Sequence, residues 1–370
     1  MADMLYSAEL KEKNCMKVDF DYRFNRILFV NSYVCNMNCP YCMHMAHKKN
    51  AKIKPGMQFG LGKSKELFDT FIENTPYDKV QITFSGGEPL VFYKDYIKPM
   101  ILHMRQREKE TGKEVKLDMF TNGTLLTEEM LDFFKENEFI VTVSYDGHCG
   151  QDYRDAKTKD TVEEKIKMGI AKNGSLFGVA STFYRDSLPY MYDAYLTVAN
   201  MGAAFWSFAI DTLSTNTEPY NTDDCKVLGD QINKIWNDLP NHNMSVNTFD
   251  RVLHFDEYVE SNRAIIARPD GEICIGTTVP ILIPEDIFPL FSIGYWQVDG
   301  EKFKRYTEIM GDFHIHPMGR NHPSFCETCK LKASCCNVKR TSADMKVRAY
   351  SDPMHCMEYL ILSHIVEGNW

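Results

Sequence analysis

Short apolar runs alternate with longer amphipathic stretches along the first two thirds of the chain. Arg26–Val34, Val80–Ser85, Lys116–Thr121, Phe139–Tyr145, Gly178–Tyr184 and Ala203–Ile210 have the length and the β-branched and aromatic content of strands. Lys63–Asn74, Tyr93–Gly112, Thr127–Glu136, Thr161–Asn173, Pro189–Asn200 and Asp223–Leu239 read as helices. Strands alternating with helices of this length predict a parallel sheet wound by right-handed crossovers. Six such units predict an α/β fold, a partial (β/α)6 TIM-like barrel, with any chemistry at the C-terminal ends of the strands. The alternation stops near Asn241, after which Pro, His, Cys and aromatic residues become frequent. The expected organisation is an N-terminal extension over 1–25, a barrel over 26–240, and a small irregular Cys-rich domain over 241–370. That last domain would be pinned by metal rather than by a large core.

Composition narrows the partners. Hydrophobic residues at 44% and charged residues at 25% describe a globular chain rather than a disordered one. A formal net charge of -9 provides no electrostatic attraction for nucleic acid or an anionic membrane, so neither is expected. No stretch approaches a membrane span, and the first twenty residues hold no uninterrupted apolar run, so a cytoplasmic location is expected.

In a reducing cytosol, the twelve cysteines point to metal or thiol chemistry rather than to disulfides. They are clumped: Cys35, Cys39 and Cys42 fall together, as do Cys326, Cys329, Cys335 and Cys336. Cys35-x3-Cys39-x2-Cys42 follows directly on the first strand. Three thiolates on a short loop can hold three corners of a cubane cluster and leave the fourth iron open for chemistry. The alternative is a structural zinc, which normally takes four ligands in two pairs; only His44 and His47 are near enough to complete it.

The trio, with Tyr41 just before its last cysteine, resembles the signature of the radical S-adenosylmethionine (SAM) superfamily. Further matches follow in order. Ser85-Gly86-Gly87-Glu88-Pro89 ends the second strand and resembles the GGE motif that receives the SAM amino group. Adjacent glycines admit a close backbone approach, and Glu88 offers a carboxylate to an ammonium. Thr121-Asn122-Gly123 and Ser144-Tyr145-Asp146-Gly147 end the third and fourth strands and resemble motifs of relatives that modify peptides. The resemblance implies a 4Fe–4S cluster on Cys35, Cys39 and Cys42. It implies SAM contacts from Tyr41, Ser85, Gly86, Gly87, Glu88, Asn122, Ser144, Asp146 and Arg154, the arginine pairing with the SAM carboxylate. Reductive cleavage of SAM would then yield a 5′-deoxyadenosyl radical, with electrons from a donor such as flavodoxin or ferredoxin.

Cys326-x2-Cys329-x5-Cys335, with Cys356 beyond, resembles the SPASM extension of the same enzymes and implies at least one auxiliary 4Fe–4S cluster. On spacing alone, zinc remains the alternative there. Arg268–Cys274 resembles the family's segment for a second auxiliary cluster, but no cysteine lies between Cys225 and Cys274, and Lys339 stands where a further ligand is expected. Either this cluster is lost, or it uses Cys274 and Cys336 with non-cysteine ligands, for which His254, Asp256, His314, His316 and His322 are available. The resemblance implies hydrogen-atom abstraction from a residue of a ribosomal precursor peptide, ending in a thioether, a carbon–carbon crosslink or an epimer. In an epimerisation, Cys149, or Cys336 if it is not a ligand, is a candidate hydrogen donor, the alternative being a packed and inert thiol. A sulfatase-maturing, formylglycine-forming enzyme is the second reading, although Ile275 stands where those relatives carry an acidic base. A non-catalytic metal-binding scaffold is the third, and it would have no use for the GGE motif.

Overall fold

The computed structural model describes residues 25–42, 56–210, 222–253, 264–275 and 292–295. One ten-stranded sheet runs through them in the order β10-β9-β8-β1-β2-β3-β4-β5-β6-β7. Its centre is β1 (Arg26–Val30), β2 (Lys79–Ser85), β3 (Glu114–Thr121), β4 (Phe139–Ser144), β5 (Phe177–Phe183) and β6 (Phe205–Ile210). All neighbours in that series are parallel. The crossovers carry α1 (Leu61–Asn74), α2 (Lys98–Thr111), α3 (Glu128–Glu136), α4 (Gly147–Asp155), α5 (Lys159–Asn173) and α6 (Met191–Asn200). After β6 come α7 (Thr222–Asp238), β7 (Ser245–Val246) and α8 (Asn247–Leu253). This is the expected partial barrel: among the described residues its edge strands do not pair with each other.

Two extensions lie beyond residue 240, where the regular pattern ends. The short β7 adds in parallel to β6, and β8 (Ala264–Ala267) adds in parallel to the far side of β1. Strands β9 (Glu272–Ile275) and β10 (Ser292–Tyr295) continue from β8 in antiparallel fashion. The backbone of Cys274 thus sits on β9, opposite Ser292. Cys326, Cys329, Cys335, Cys336 and Cys356 lie outside the described residues, as does the extension before residue 25.

Alternation along each strand explains the packing. Ile27, Phe29, Val80, Ile82, Phe84, Leu117, Met119, Val141, Val143 and Val179 are buried in the one large core, on the face that meets the helices. The intervening positions line the opposite face and include the polar Arg26, Gln81, Thr83, Asp118, Thr142, Ser144 and Thr182, with the apolar Leu28 and Val30 among them. There Arg26 donates to Thr83 Oγ1 at 3.0 Å and Gln81 donates to Asp118 Oδ2 at 2.5 Å. Burial pushes the Asp118 carboxyl up, while Arg26, Gln81 and Thr83 oppose it. Parallel strands buried on both faces usually read as continuous apolar runs. These do not, because one face lines a polar interior.

Local chemistry sets the helix limits. Thr127 caps α3 by accepting from Met130 N, and Glu128 and Glu129 follow in the first turn, where the helix dipole favours them. The helix expected over Tyr93–Gly112 begins as a π turn at Tyr93–Ile97 and becomes regular only from Lys98, beside Pro99, which has no N–H to donate. The expected first strand ends early, at Val30, because Asn31 and Ser32 turn out to meet the segment before α1: Asn31 O accepts from Phe59 N at 2.8 Å. Helix α4 was not anticipated. Its sequence, GHCGQDYRD, lacks an apolar stripe, and it is held instead by docking onto α6 through Gly147.

A buried polar pair joins β4, β5 and β6. Trp206 Nε1 donates to Ser181 Oγ at 2.8 Å, and Ser181 Oγ donates to the carbonyl of Tyr145 at 2.7 Å. Replacing Ser181 by Ala strands a buried indole N–H and is expected to cost roughly 1–3 kcal/mol, seen as a lower urea midpoint. In a Trp206→Phe background the same change should cost much less. Equal losses in the two backgrounds would show that this hydrogen bond contributes nothing.

Candidate functional site

The four strand-end segments converge on one rim and are hydrogen-bonded to one another. After β1 the chain runs through Cys35, Cys39 and Cys42, with Cys42 N–H bonded to Cys39 O at 3.1 Å. All three thiols are free, as is Cys149 on α4. Cys35 is exposed and Cys39 buried. The Sγ of Cys35 accepts from Met37 N at 3.3 Å and lies 3.8 Å from Asn122 Nδ2.

The glycines at the end of β2 make room for this loop. Gly86 has φ +129°, and a Cβ there would stand 2.4 Å from Ser32 O. At Gly87 a Cβ would stand 2.1 Å from Val34 O. The two backbones are pinned by Gly87 N–H to Ser32 O at 2.9 Å and Glu88 N–H to Val34 O at 2.8 Å. The close approach expected for a ligand is made here to the cysteine loop itself.

Glu88, 1% exposed, points inward. Its Oε1 accepts from Leu90 N at 2.9 Å and Thr121 Oγ1 at 2.7 Å, and its Oε2 accepts from Asn122 N at 2.7 Å. Burial pushes its pKa up, and these three donors work against that. Asn122 in turn donates to Asn36 Oδ1 at 2.8 Å, and Asn36 donates to Thr124 Oγ1 at 2.8 Å. The Thr-Asn-Gly turn therefore reaches back to the cysteine loop.

The fourth motif does the same from the other side. Asp146, 2% exposed, accepts from Thr182 N at 2.7 Å through Oδ1 and from the Tyr41 hydroxyl through Oδ2. Arg154 Nη1 donates to that same hydroxyl at 3.3 Å and lies 3.6 Å from Asp146 Oδ2. Burial, and then Asp146, push the Tyr41 pKa up, so it stays a neutral phenol. Burial opposes the Arg154 charge, and the carboxylate of Asp146 beside it favours that charge. Among the described residues, the buried Arg154 Nε has no hydrogen-bond partner. Ser85 and Ser144 close β2 and β4 on the same rim, both half-buried.

Tyr153 and Tyr184 were not foreseen. The Tyr41 ring stacks on Tyr153 at 5.9 Å and on Tyr184 at 6.3 Å, and those two stack on each other at 4.1 Å. Neither belongs to a motif. The available signal was the position of Tyr153 beside Arg154 and of Tyr184 directly after the fifth strand.

Cys35, Cys39 and Cys42 are free thiols on one short loop, the donor type that an iron–sulfur cluster takes. Cys39 feels both other thiols, and burial pushes it up to about 11, against the pull of Arg154. A cationic centre would displace that proton on binding. The half-buried Arg154, whose Nε has no hydrogen-bond partner among the described residues, fits an anionic group such as a carboxylate.

The family model of the radical SAM superfamily matches residues 31–179. A serine-type anaerobic sulfatase-maturating enzyme of Bacteroides thetaiotaomicron is 34% identical over 143 residues, covering 37% of this chain and 33% of that protein. The chain thus spans about a third of the length of the curated relatives it matches. Among solved structures, native anSMEcpe with bound AdoMet aligns with a TM-score of 0.70 at 17% identity, over 93% of this chain and 97% of that one. Streptococcus suis SuiB bound to precursor peptide SuiA aligns at 0.54 and 13% identity, over 92% and 77%. The first of these was also solved with AdoMet and a Cp18Cys peptide, at 0.65 and 17%, over 93% and 98%. At such identities the likeness establishes the fold.

If the glycine pair seats the cysteine loop, Gly87→Ala should push that loop off β2. Anaerobically reconstituted Gly87→Ala protein is expected to bind markedly less iron. Gly62→Ala, where a Cβ meets nothing within 4 Å on helix α1, should bind as much as the parent. Full iron in Gly87→Ala would show that the loop does not depend on this contact.

Proposed function

This chain is a member of the radical SAM superfamily through residues 31–179, and on that premise we propose that it takes a hydrogen atom from a residue of a peptide substrate. The observation that carries the reading is the junction of the cysteine loop with three other strand ends, beside a buried and partly unpartnered guanidinium. In this reading Cys35, Cys39 and Cys42 hold a 4Fe–4S cluster. Arg154, Ser144 and the Ser85–Glu88 turn receive SAM, the arginine taking its carboxylate. When bound, these groups supply an electron and the 5′-deoxyadenosyl radical that abstracts hydrogen.

The chain's own part is placement. Glu88 and Asn122 hold the cysteine loop against β2 and β3, and Asp146 ties it to β5. The polar face of the sheet beneath the rim offers hydrogen bonds to a substrate backbone. Peptide substrates are supported by the structural neighbours, which were solved with a peptide and with a precursor peptide bound. The carbon radical would close into a thioether or carbon–carbon crosslink or be quenched to an epimer. Reduction would come from a flavodoxin or ferredoxin. Cys326, Cys329, Cys335 and Cys356 would hold an auxiliary 4Fe–4S cluster, with Cys274 and Cys336 as the remaining candidates for another.

A second reading, oxidation of a Cys or Ser to formylglycine, is supported by the identity to a sulfatase-maturating enzyme. Against it, Ile275 stands where the resemblance places those relatives' acidic base, and the oxidation needs a proton acceptor.

Given a strong reductant without oxygen, the reconstituted protein is expected to cleave SAM to 5′-deoxyadenosine. Joint replacement of Cys35, Cys39 and Cys42 by Ala should abolish this, and continued cleavage would refute the assignment. On a substrate peptide, a product that reacts with hydrazide probes would select the formylglycine reading. The same triple variant should keep about four irons per chain in the tail. Stoichiometric zinc in place of iron would make the tail a zinc-stabilised platform.

A further inference from the structure

Tyr41 occupies an unusual position between opposite charges. Its hydroxyl donates to Asp146 Oδ2 and accepts from Arg154 Nη1 at 3.3 Å. The two charged groups do not meet directly: Nη1 stands 3.6 Å from Oδ2, outside hydrogen-bond range. Asp146 is buried and Arg154 half-buried, and at this distance away from bulk water a carboxylate and a guanidinium attract. An arginine beside a free carboxylate normally closes into a direct, often bidentate pair.

Two features prevent that here. Asp146 Oδ1 is fixed by Thr182 N–H at 2.7 Å, so the carboxylate cannot swing freely. The Tyr41 ring is held by its stacks on Tyr153 and Tyr184, which direct the hydroxyl into the gap. Arg154 is left close to its counter-ion, with an Nε that has no hydrogen-bond partner among the described residues.

We propose that Tyr41 is a positioning residue whose hydroxyl separates Arg154 from Asp146 and so keeps the guanidinium open to an anionic ligand. The inference rests on the reading above, in which that ligand is the SAM carboxylate. A tyrosine in the cysteine loop thereby couples the seating of the loop to the readiness of the anion site. Without the hydroxyl, Asp146 Oδ2 loses its donor and turns to Arg154 as its only replacement. The internal carboxylate then competes with the incoming one.

The test uses the full chain, reconstituted anaerobically, with iron content and SAM affinity measured side by side by equilibrium dialysis. Tyr41→Phe keeps the ring and its stacking. It is expected to hold the parent's iron at the three-cysteine site but bind SAM roughly tenfold more weakly. Adding Asp146→Asn to Tyr41→Phe removes the competing charge, and affinity should recover most of that loss. A structural role alone would not produce this rescue. Tyr41→Phe binding SAM as tightly as the parent would overturn the proposal, and so would a double variant no tighter than the single one. Loss of iron in Tyr41→Phe would also overturn it, leaving the hydroxyl a loop fastening only. A parent protein that binds no SAM would instead refute the functional reading beneath it.

Discussion

The buried carboxylate of Glu88 is the joint on which the site depends. A charge at 1% exposure is tenable only with its lone pairs matched by donors, and here the donors come from Thr121, Asn122 and Leu90. Those bonds lock the end of β2 to the end of β3. The backbone of the same residue holds Val34 in the cysteine loop. Two strand ends and the loop are thus fastened at a single residue, through its side chain and its backbone, without calling on the thiols. The thiols are left free for another partner.

The sheet supplies the second constraint. Its helix-facing side packs Phe29, Phe84, Phe134 and Phe139 in a run of ring contacts, with Phe134 and Phe139 4.9 Å apart. That apolar layer makes the strand positions rigid. The opposite face needs no such layer and carries Arg26, Gln81, Thr83 and Asp118 in mutual hydrogen bonds.

Around the rim, side chains expected to meet a ligand are largely engaged with each other. Glu88 and Asp146 point into the protein, Asn122 bridges two loops, and the Gly86–Gly87 pair faces the cysteine loop. The exception is Arg154, which keeps unused donor capacity beside Cys39. Much of what reads as a binding motif is therefore preorganisation: it holds a few groups in place so that they need not be ordered when the ligand arrives.

The alternation of apolar runs with amphipathic stretches was enough to determine six strands, their helices and the barrel class, because periodicity records which face of each element is buried. The thiol spacing and the four turn motifs likewise marked the rim, since strand ends are where such residues gather. Local sequence could not reveal helix α4, which has no apolar stripe and is held by its packing on α6. Nor could it show that β8 pairs with β1, a contact between segments more than two hundred residues apart. The partners of Glu88 and Asp146 were hidden for the same reason. A carboxylate in a motif reads alike whether it faces a ligand or the interior, and only the converging strand ends decide which donors reach it.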